Sequence, residues 1–248
     1  MTGSLDASEF AGVRLLIRDG REIRYQVCGE LDRAWLEQLL MGHAMGAIQY
    51  QRGRLPLHGN CLVHEDQTVL LCGHSGAGKS TASLALLSAG GTLLADDLTA
   101  LQPASDGRRI LAWPGIGRLK LWEDSCTWFD VPRQELSPVP GQPGKFYYPR
   151  SPAQAEVARP VDRIYCLLPD ERVDTPTLEP LDGGDKLRWL QAHLYKAQLQ
   201  EAQRNWPDTF ATLAVIADRC MVALLRRPVG RFERASLLSP LTSDWAHV

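Results

Sequence analysis

The chain has 248 residues, 44% hydrophobic and 23% charged, which is enough apolar content for a buried core and too little charge for a disordered segment. A formal net charge of −2 with scattered basic residues leaves no electrostatic footprint for nucleic acid or an anionic membrane, so neither is expected as a partner. No stretch approaches the ~18 apolar residues of a membrane span. Asp6 and Glu9 stand where a secretory signal would be basic and then apolar, so a cytoplasmic protein is expected. Cys28, Cys61, Cys72, Cys126, Cys166 and Cys220 lie far apart with no C-x-x-C, which fits reduced packing residues rather than disulfides or thiolate metal ligands.

In chain order, Val13 to Ile17 and Glu22 to Val27 read as strands joined at Asp19-Gly20, a tight hairpin turn. From Trp35 to Arg52, Leu36, Leu40, Ala44 and Ile48 recur at helical spacing and predict one helix, ended by Gly53. These elements form an amino-terminal region, 1–53, packed on a core over 54–248. Leu55 to Val63 is extended and contains His58-Gly59. Thr68 to Cys72 predicts a buried strand, and Thr81 to Ala89 a helix stopped by Gly90-Gly91. Thr92 to Ala95 is a strand ending in Asp96-Asp97, and Leu98 to Leu101 pairs with Arg109 to Ala112 through Ser105-Asp106-Gly107.

Prolines 132, 138, 140, 143, 149 and 152, with Gly141 and Gly144, predict a long loop over 132–152, since neither helix nor central strand accepts that composition. Long loops in compact proteins are usually functional or disordered, and this one carries Lys145, Tyr147, Tyr148 and Arg150, a candidate substrate lid. Beyond it come a strand over Val161 to Leu168 and a helix over Asp185 to Arg204, with Leu187, Leu190, Leu194 and Ala197 on one face. A helix capped by Asp208 runs to Arg219, and Met221 to Leu225 is a last strand. The expected architecture is α/β, a mixed β-sheet flanked by helices with a small amino-terminal hairpin plus helix.

Between the strand at 68–72 and the helix at 81–89 lies Gly73-His74-Ser75-Gly76-Ala77-Gly78-Lys79-Ser80, which matches G-x-x-x-x-G-K-[ST] at every fixed position. Glycines let successive N–H groups turn toward phosphates, and the helix N-terminus adds its positive end. Gly73, Ser75, Gly76, Ala77, Gly78, Lys79, Ser80 and Thr81 are therefore expected to bind a nucleotide, with Lys79 on the β/γ oxygens and Ser80 on Mg²⁺. ATP and Mg²⁺ are the expected cofactors. No LSGGQ-like motif marks a transporter ATPase. Neither Asn60 nor Asn205 is followed by Lys, which excludes the N-K-x-D guanine reader. A compact kinase-like site remains, with Asp96-Asp97 as the only acidic strand end in reach.

These residues resemble a known family. His58-Gly59, the loop, and Leu94-Ala95-Asp96-Asp97, in their spacing, are similar to the HPr kinase/phosphorylase family, bacterial serine kinases on a P-loop fold of the HPr kinase/PEP-carboxykinase type. Arg52-Gly53-Arg54-Leu55-Pro56-Leu57-His58-Gly59 and Pro114-Gly115-Ile116-Gly117-Arg118-Leu119-Lys120-Leu121-Trp122 resemble shorter tailoring kinases of lasso-peptide clusters, which phosphorylate the C-terminal serine of the precursor. The resemblance implies an ATP-dependent serine kinase acting on a peptide or small protein. It also places His58 in the site, bonding the transferred phosphate or orienting Asp96. Where the family has Arg-Gly-Leu-Gly this chain has Pro114-Gly115-Ile116-Gly117, so Arg118 or Lys120 is expected to supply the missing cation. The stretch before His58 is too short for the family's amino-terminal regulatory domain, so sugar-metabolite control and HPr recognition are not expected.

Phosphoryl transfer needs alignment and charge neutralisation. Asp97 is assigned to Mg²⁺ and Asp96 to the general base, with exchange of these roles open. A metal and Lys79 keep both carboxylates ionised. Lys145 and Arg150 are candidates to clamp a triphosphate or a peptide carboxylate. His74 is read as incidental, and Arg226, Arg227 and Arg231 as surface or nucleotide-edge residues. A kinase of a free small-molecule hydroxyl and a non-catalytic nucleotide sensor or assembly protein remain alternatives. A homo-oligomer is compatible with the sequence, which does not fix the state.

Overall fold

The amino-terminal strands β1 (Ser8–Phe10), β2 (Val13–Arg18) and β3 (Glu22–Val27) form an antiparallel sheet in a computed structural model that describes residues 8–10, 12–149, 157–202, 206–230 and 234–245. Asp19 and Gly20 both take positive φ, 53° and 62°, the primed-turn geometry that matches strand twist. Val13, Leu15 and Ile17 alternate inward along β2 and join the main core. The Gln51 amide ties this hairpin to the following helix, accepting from Gly20 N–H (2.8 Å) and donating to the Ile17 carbonyl (3.0 Å).

That helix is interrupted. α1 (Arg33–Leu39), capped by Asp32, passes into a π-helical turn at Leu40–Ala44 and then into α2 (Met45–Gln51). β4 (Leu55–His64) is the longest strand and changes partner midway. Its first half pairs with β7 (Leu98–Pro103), with His58 opposite Leu98. Its second half pairs with β5 (Gln67–Cys72), with Gly59 opposite Cys72, and with β6 (Thr92–Ala95) on its other edge. A Cβ on Gly59 would lie 2.8 Å from the Leu71 carbonyl, so only glycine fits at the changeover. α3 (Lys79–Ser88) follows β5. β8 (Ile110–Trp113), β9 (Arg118–Trp122), α4 (Glu123–Trp128), β10 (Ser137–Pro138), β11 (Lys145–Pro149) and β12 (Arg159–Pro160) come next. The chain ends with β13 (Arg163–Pro169), β14 (Thr177–Pro180), α5 (Gly183–Ala192), α6 (Ala197–Ala202), α7 (Trp206–Arg219), β15 (Met221–Arg227) and α8 (Arg234–Trp245).

The main sheet runs β12-β8-β7-β4-β5-β13-β15-β14, with β6 on β4, and is mixed: β5, β13 and β15 are parallel and the other pairs antiparallel. One apolar layer packs β2, α2, α5 and α7 on one face. The other packs α3, α8 and the β9 hairpin sheet. This is the expected mixed α/β architecture with helices on both faces. Five cysteines are buried and free, and Cys28 is exposed and free. Among the described residues no helix is long and apolar enough to cross a membrane.

Three expectations need correction. The proline-rich stretch is not a structureless loop: β10 and β11 form a hairpin that pairs with β9 over Lys145–Pro149. Pro138, Pro140, Pro143 and Pro149 sit at turns and strand ends, while Lys145-Phe146-Tyr147-Tyr148 is proline-free and rich in strand-forming aromatics. Gln38 on α1 pins the hairpin by donating to the Pro140 carbonyl (2.5 Å) and accepting from Gln142 (3.1 Å). The helix predicted over 185–204 breaks at residues 193–196, where Leu194 bridges Leu57 and backbone bonds run from His58 N–H to His193 O (2.7 Å) and from Tyr195 N–H to Pro56 O (2.9 Å). Asp208 lies in the first turn of α7 rather than capping it, and α8, with Pro240 inside it, went unpredicted.

Candidate active site

The loop between β5 and α3 folds as its glycines dictate. Gly73, Gly76 and Gly78 take φ of 155°, 81° and 98°, and open space lies where a Gly76 Cβ would stand. Lys79 is buried and its ammonium donates to the carbonyls of Gly73 (2.6 Å) and His74 (3.2 Å). Burial lowers its pKa, opposed by the charges of Asp97 and Asp96. Arg227, at the end of β15, crosses to the loop and donates from Nε to Ala77 O (2.7 Å) and from Nη2 to Gly76 O (3.3 Å). No local sequence pattern marks Arg227 for this contact. Parallel β13 lies between β5 and β15 in the sheet, and that adjacency brings the residue to the loop.

Asp96 and Asp97 follow β6, and their environments diverge. Asp96 is 5% exposed, and its Oδ2 accepts from Lys120 N–H at 3.1 Å. Burial, then the neighbouring Asp97 charge, raises its pKa to about 7. Asp97 takes a left-handed φ of 65°, which turns its side chain onto Lys120 Nζ (3.1 Å) and His58 Nδ1 (3.2 Å). Burial alone would raise the Asp97 pKa, but Lys120 and then His58 overcome it and hold the carboxyl below its ordinary value. His58 Nδ1 also lies 3.1 Å from the Asp97 carbonyl, so the imidazole steadies Asp97 rather than Asp96, which corrects one expectation. Burial and the Lys79 charge lower the His58 pKa.

Asn60, which lacks the following Lys of a guanine reader, acts as a buried bracket. Its Oδ1 accepts from Asp97 N–H (3.2 Å) and its Nδ2 donates to Ser83 Oγ (2.9 Å) on α3, one turn past Ser80. The acid pair is thereby fixed to the helix that carries the phosphate loop.

One cavity of about 260 Å³ is lined jointly by His58, Ser75, Gly76, Gly78, Lys79, Ser80, Thr81, Asp96, Asp97, Lys120 and Lys145. Gly73 and Ala77 shape the loop from behind, where a Gly73 Cβ would fall 2.9 Å from the Ala77 Cβ. Lys120 neutralises the acid pair. Lys145 stands 5.3 Å over the Trp122 ring at the nucleotide side, its pKa lowered by burial and by Lys120. Arg118 lies across the acids, bonded to Glu37 (3.1 Å) and over the Tyr147 ring (4.4 Å). Arg150 and Arg231 lie outside the described residues. His74 is exposed on the loop, its ring 5.2 Å from that of His193.

The donor set fits Mg²⁺. Ser80, Asp96 and Asp97 offer hard oxygens, and no group of three His, Cys, Asp or Glu forms a metal cage among the described residues. Mg²⁺ commonly binds through one or two carboxylates together with substrate phosphates, which is what such a set permits.

No protein-family model matches the chain, and no curated protein matches it. Among solved structures it is similar to the HPr(Ser) kinase/phosphatase from Coxiella burnetii, at 16% identity and a TM-score of 0.42, over 77% of this chain and 91% of that one. At that identity and superposition the likeness decides nothing about chemistry, which has to come from the side chains.

Proposed function

We propose that the protein is an ATP- and Mg²⁺-dependent kinase that phosphorylates a serine hydroxyl of a peptide or small protein, with the C-terminal serine of a lasso-peptide precursor as its specific acceptor. One observation carries the reading: two consecutive carboxylates of unlike environment share a cavity with Lys79 and Ser80 of the phosphate loop. The sequence likeness of residues 52–59 and 114–122 to the tailoring kinases supports the finer acceptor.

In this reading Asp96 takes the proton of the acceptor hydroxyl as its oxygen bonds to the γ-phosphorus. The bond from that phosphorus to the β–γ bridging oxygen breaks, and ADP leaves. Ser80 and Asp97 would hold Mg²⁺, which when bound would neutralise the charge spread over the phosphate oxygens. Lys79 faces the same oxygens. Lys120 and His58 keep Asp97 ionised and oriented, and the low exposure of Asp96 lets its pKa approach neutrality, where a base works best.

The test is incubation with MgATP and a panel of acceptors: a precursor peptide ending in serine, the same peptide ending in alanine, and free hydroxy metabolites. Phosphate on the serine peptide alone is expected. Phosphate only on a metabolite would make this a small-molecule kinase, and ATP binding with no transfer would make it a sensor; either overturns the reading.

A further inference from the structure

Asp96 faces two ways. Toward the phosphate loop it lines the nucleotide cavity. It also lines a second cavity of about 240 Å³ that shares no other residue with the first, bounded by Met41 and Met45 on the π turn and α2, and by Trp113 and Ile116 at the end of β8 and the turn after it. A triphosphate in the first cavity leaves the second as an approach for the acceptor, because the base must meet its hydroxyl from the side the phosphates do not fill.

The chemistry of this second cavity is restrictive. Beyond Asp96, the polar side-chain groups around it are Gln49, whose Oε1 already accepts from Arg54 Nη1 at 3.1 Å, and the Trp113 indole N–H, which is buried; the rest are apolar. The Arg54 guanidinium carbon itself lies over the Trp113 ring, 3.5 Å from its centroid. A small polyhydroxylated metabolite would find few hydrogen-bond partners here, and its polar groups would be desolvated without return. A large apolar side chain would fill the space, and two unbranched, polarizable methionines can adapt to several shapes.

Resting on the kinase reading above, we infer that the Met41–Met45–Trp113–Ile116 cavity is a subsite for the side chain next to the acceptor serine. The substrate class is thus a peptide whose phosphorylated serine has a large apolar neighbour. Arg118, 38% exposed on the adjoining polar cleft beside Asp96, lies where the peptide backbone would continue.

The experiment uses the full chain with MgATP and serine peptides identical except for one neighbour X, varied as Leu, Phe, Gly, Glu or Lys on either side of the serine. On one of the two sides, kcat/KM is expected to be about tenfold or more higher for Leu or Phe than for Gly or Glu, the scale of discrimination by an apolar pocket. Met45→Glu should then reverse the ranking, so that X = Lys outpaces X = Leu. The wild-type series stands by itself if that variant fails to fold. Equal kcat/KM for every X, a preference for Glu, or an unchanged ranking in folded Met45→Glu overturns the subsite while leaving the kinase reading intact. If no X yields a phosphopeptide, the kinase reading itself fails and this inference falls with it.

Discussion

The two walls that meet at Asp96 are built differently. The nucleotide wall is nearly all one stretch of chain, residues 73–81, in which glycine φ angles set the loop and Lys79 and Arg227 bond its carbonyls. The facing wall gathers remote segments wherever regular structure gives way: the π turn at Leu40–Ala44, the turn after β8, and the break at residues 193–196, where Lys196 takes φ of 46°. A π turn inside an α-helix is often found at a functional site. The contrast teaches that gripping a triphosphate, common to many proteins, needs one local device, whereas choosing an acceptor draws on distant parts of the fold. Changes to one wall should therefore have effects distinguishable from changes to the other.

The largest expected effect lies at the junction. Asp96→Asn removes the proton acceptor and should lower kcat by about 10² to 10⁴, the range for general-base loss, as measured by phosphopeptide formation. The same substitution should raise Tm at pH 8. Because the folded protein raises the Asp96 pKa from 3.8 to about 7, it binds a proton more tightly than the unfolded chain, so this group removes stability as pH climbs through that window. A fall in Tm on Asp96→Asn would argue against buried ionisation. On the nucleotide wall, Lys79→Ala and Asp97→Ala should each reduce turnover by about a hundredfold or more, as for loss of an electrostatic clamp. Near-wild-type rates in either would detach the loop from the chemistry.

Smaller effects sharpen the contrast. Gly78→Ala forces a side chain into φ of 98° and brings its Cβ to 2.7 Å from Arg227 Nε, so it should destabilise the protein by about 1–2 kcal/mol and weaken nucleotide binding. Calorimetric unfolding with and without ATP would register both. In wild type, kcat/KM should rise with pH through about 7 as Asp96 loses its proton, because this parameter reports the free enzyme. A profile flat from pH 6 to 8 would remove Asp96 from the base role.

An effect confined to acid pH belongs to the π turn. Burial and then the Lys196 charge lower the His43 pKa from 6.5 to about 4. Between those values the unfolded chain takes up a proton that the folded one refuses, so this contribution is whole above about pH 6.5 and is lost as pH falls toward 4. His43→Gln should flatten that part of the Tm-against-pH curve, and an unaltered slope would contradict the assignment.

What could be read from the sequence follows the same division. The phosphate loop, its flanking strand and helix, and the Asp96-Asp97 strand end were legible because each is a local pattern with a local cause. The helix break at 193–196 was not, since Leu194 and Ala197 keep helical spacing while backbone bonds to Pro56 and His58 override it. Six prolines outweighed the four-residue run Lys145–Tyr148 that pairs with β9. In the site, the spacing of His58 was informative but its partner was not, because only the positive φ of Asp97 turns that carboxylate onto the imidazole. Met41, Met45 and Gln49 recur every four residues beside the core-facing Leu40, Ala44 and Ile48, a periodic signal present in the chain but legible only once β8 and Asp96 are seen to face it.

On this reading Asp96 and the phosphate loop form one site for phosphoryl transfer. The most direct measurement is a single turnover of γ-labelled ATP, bound with Mg²⁺, against a serine peptide, comparing wild type with Asp96→Asn at pH 8. Rapid label on the peptide serine is expected in wild type, with a rate at least about a hundredfold lower in the variant. Equal rates in the two proteins, or no label on the peptide in wild type, would contradict it.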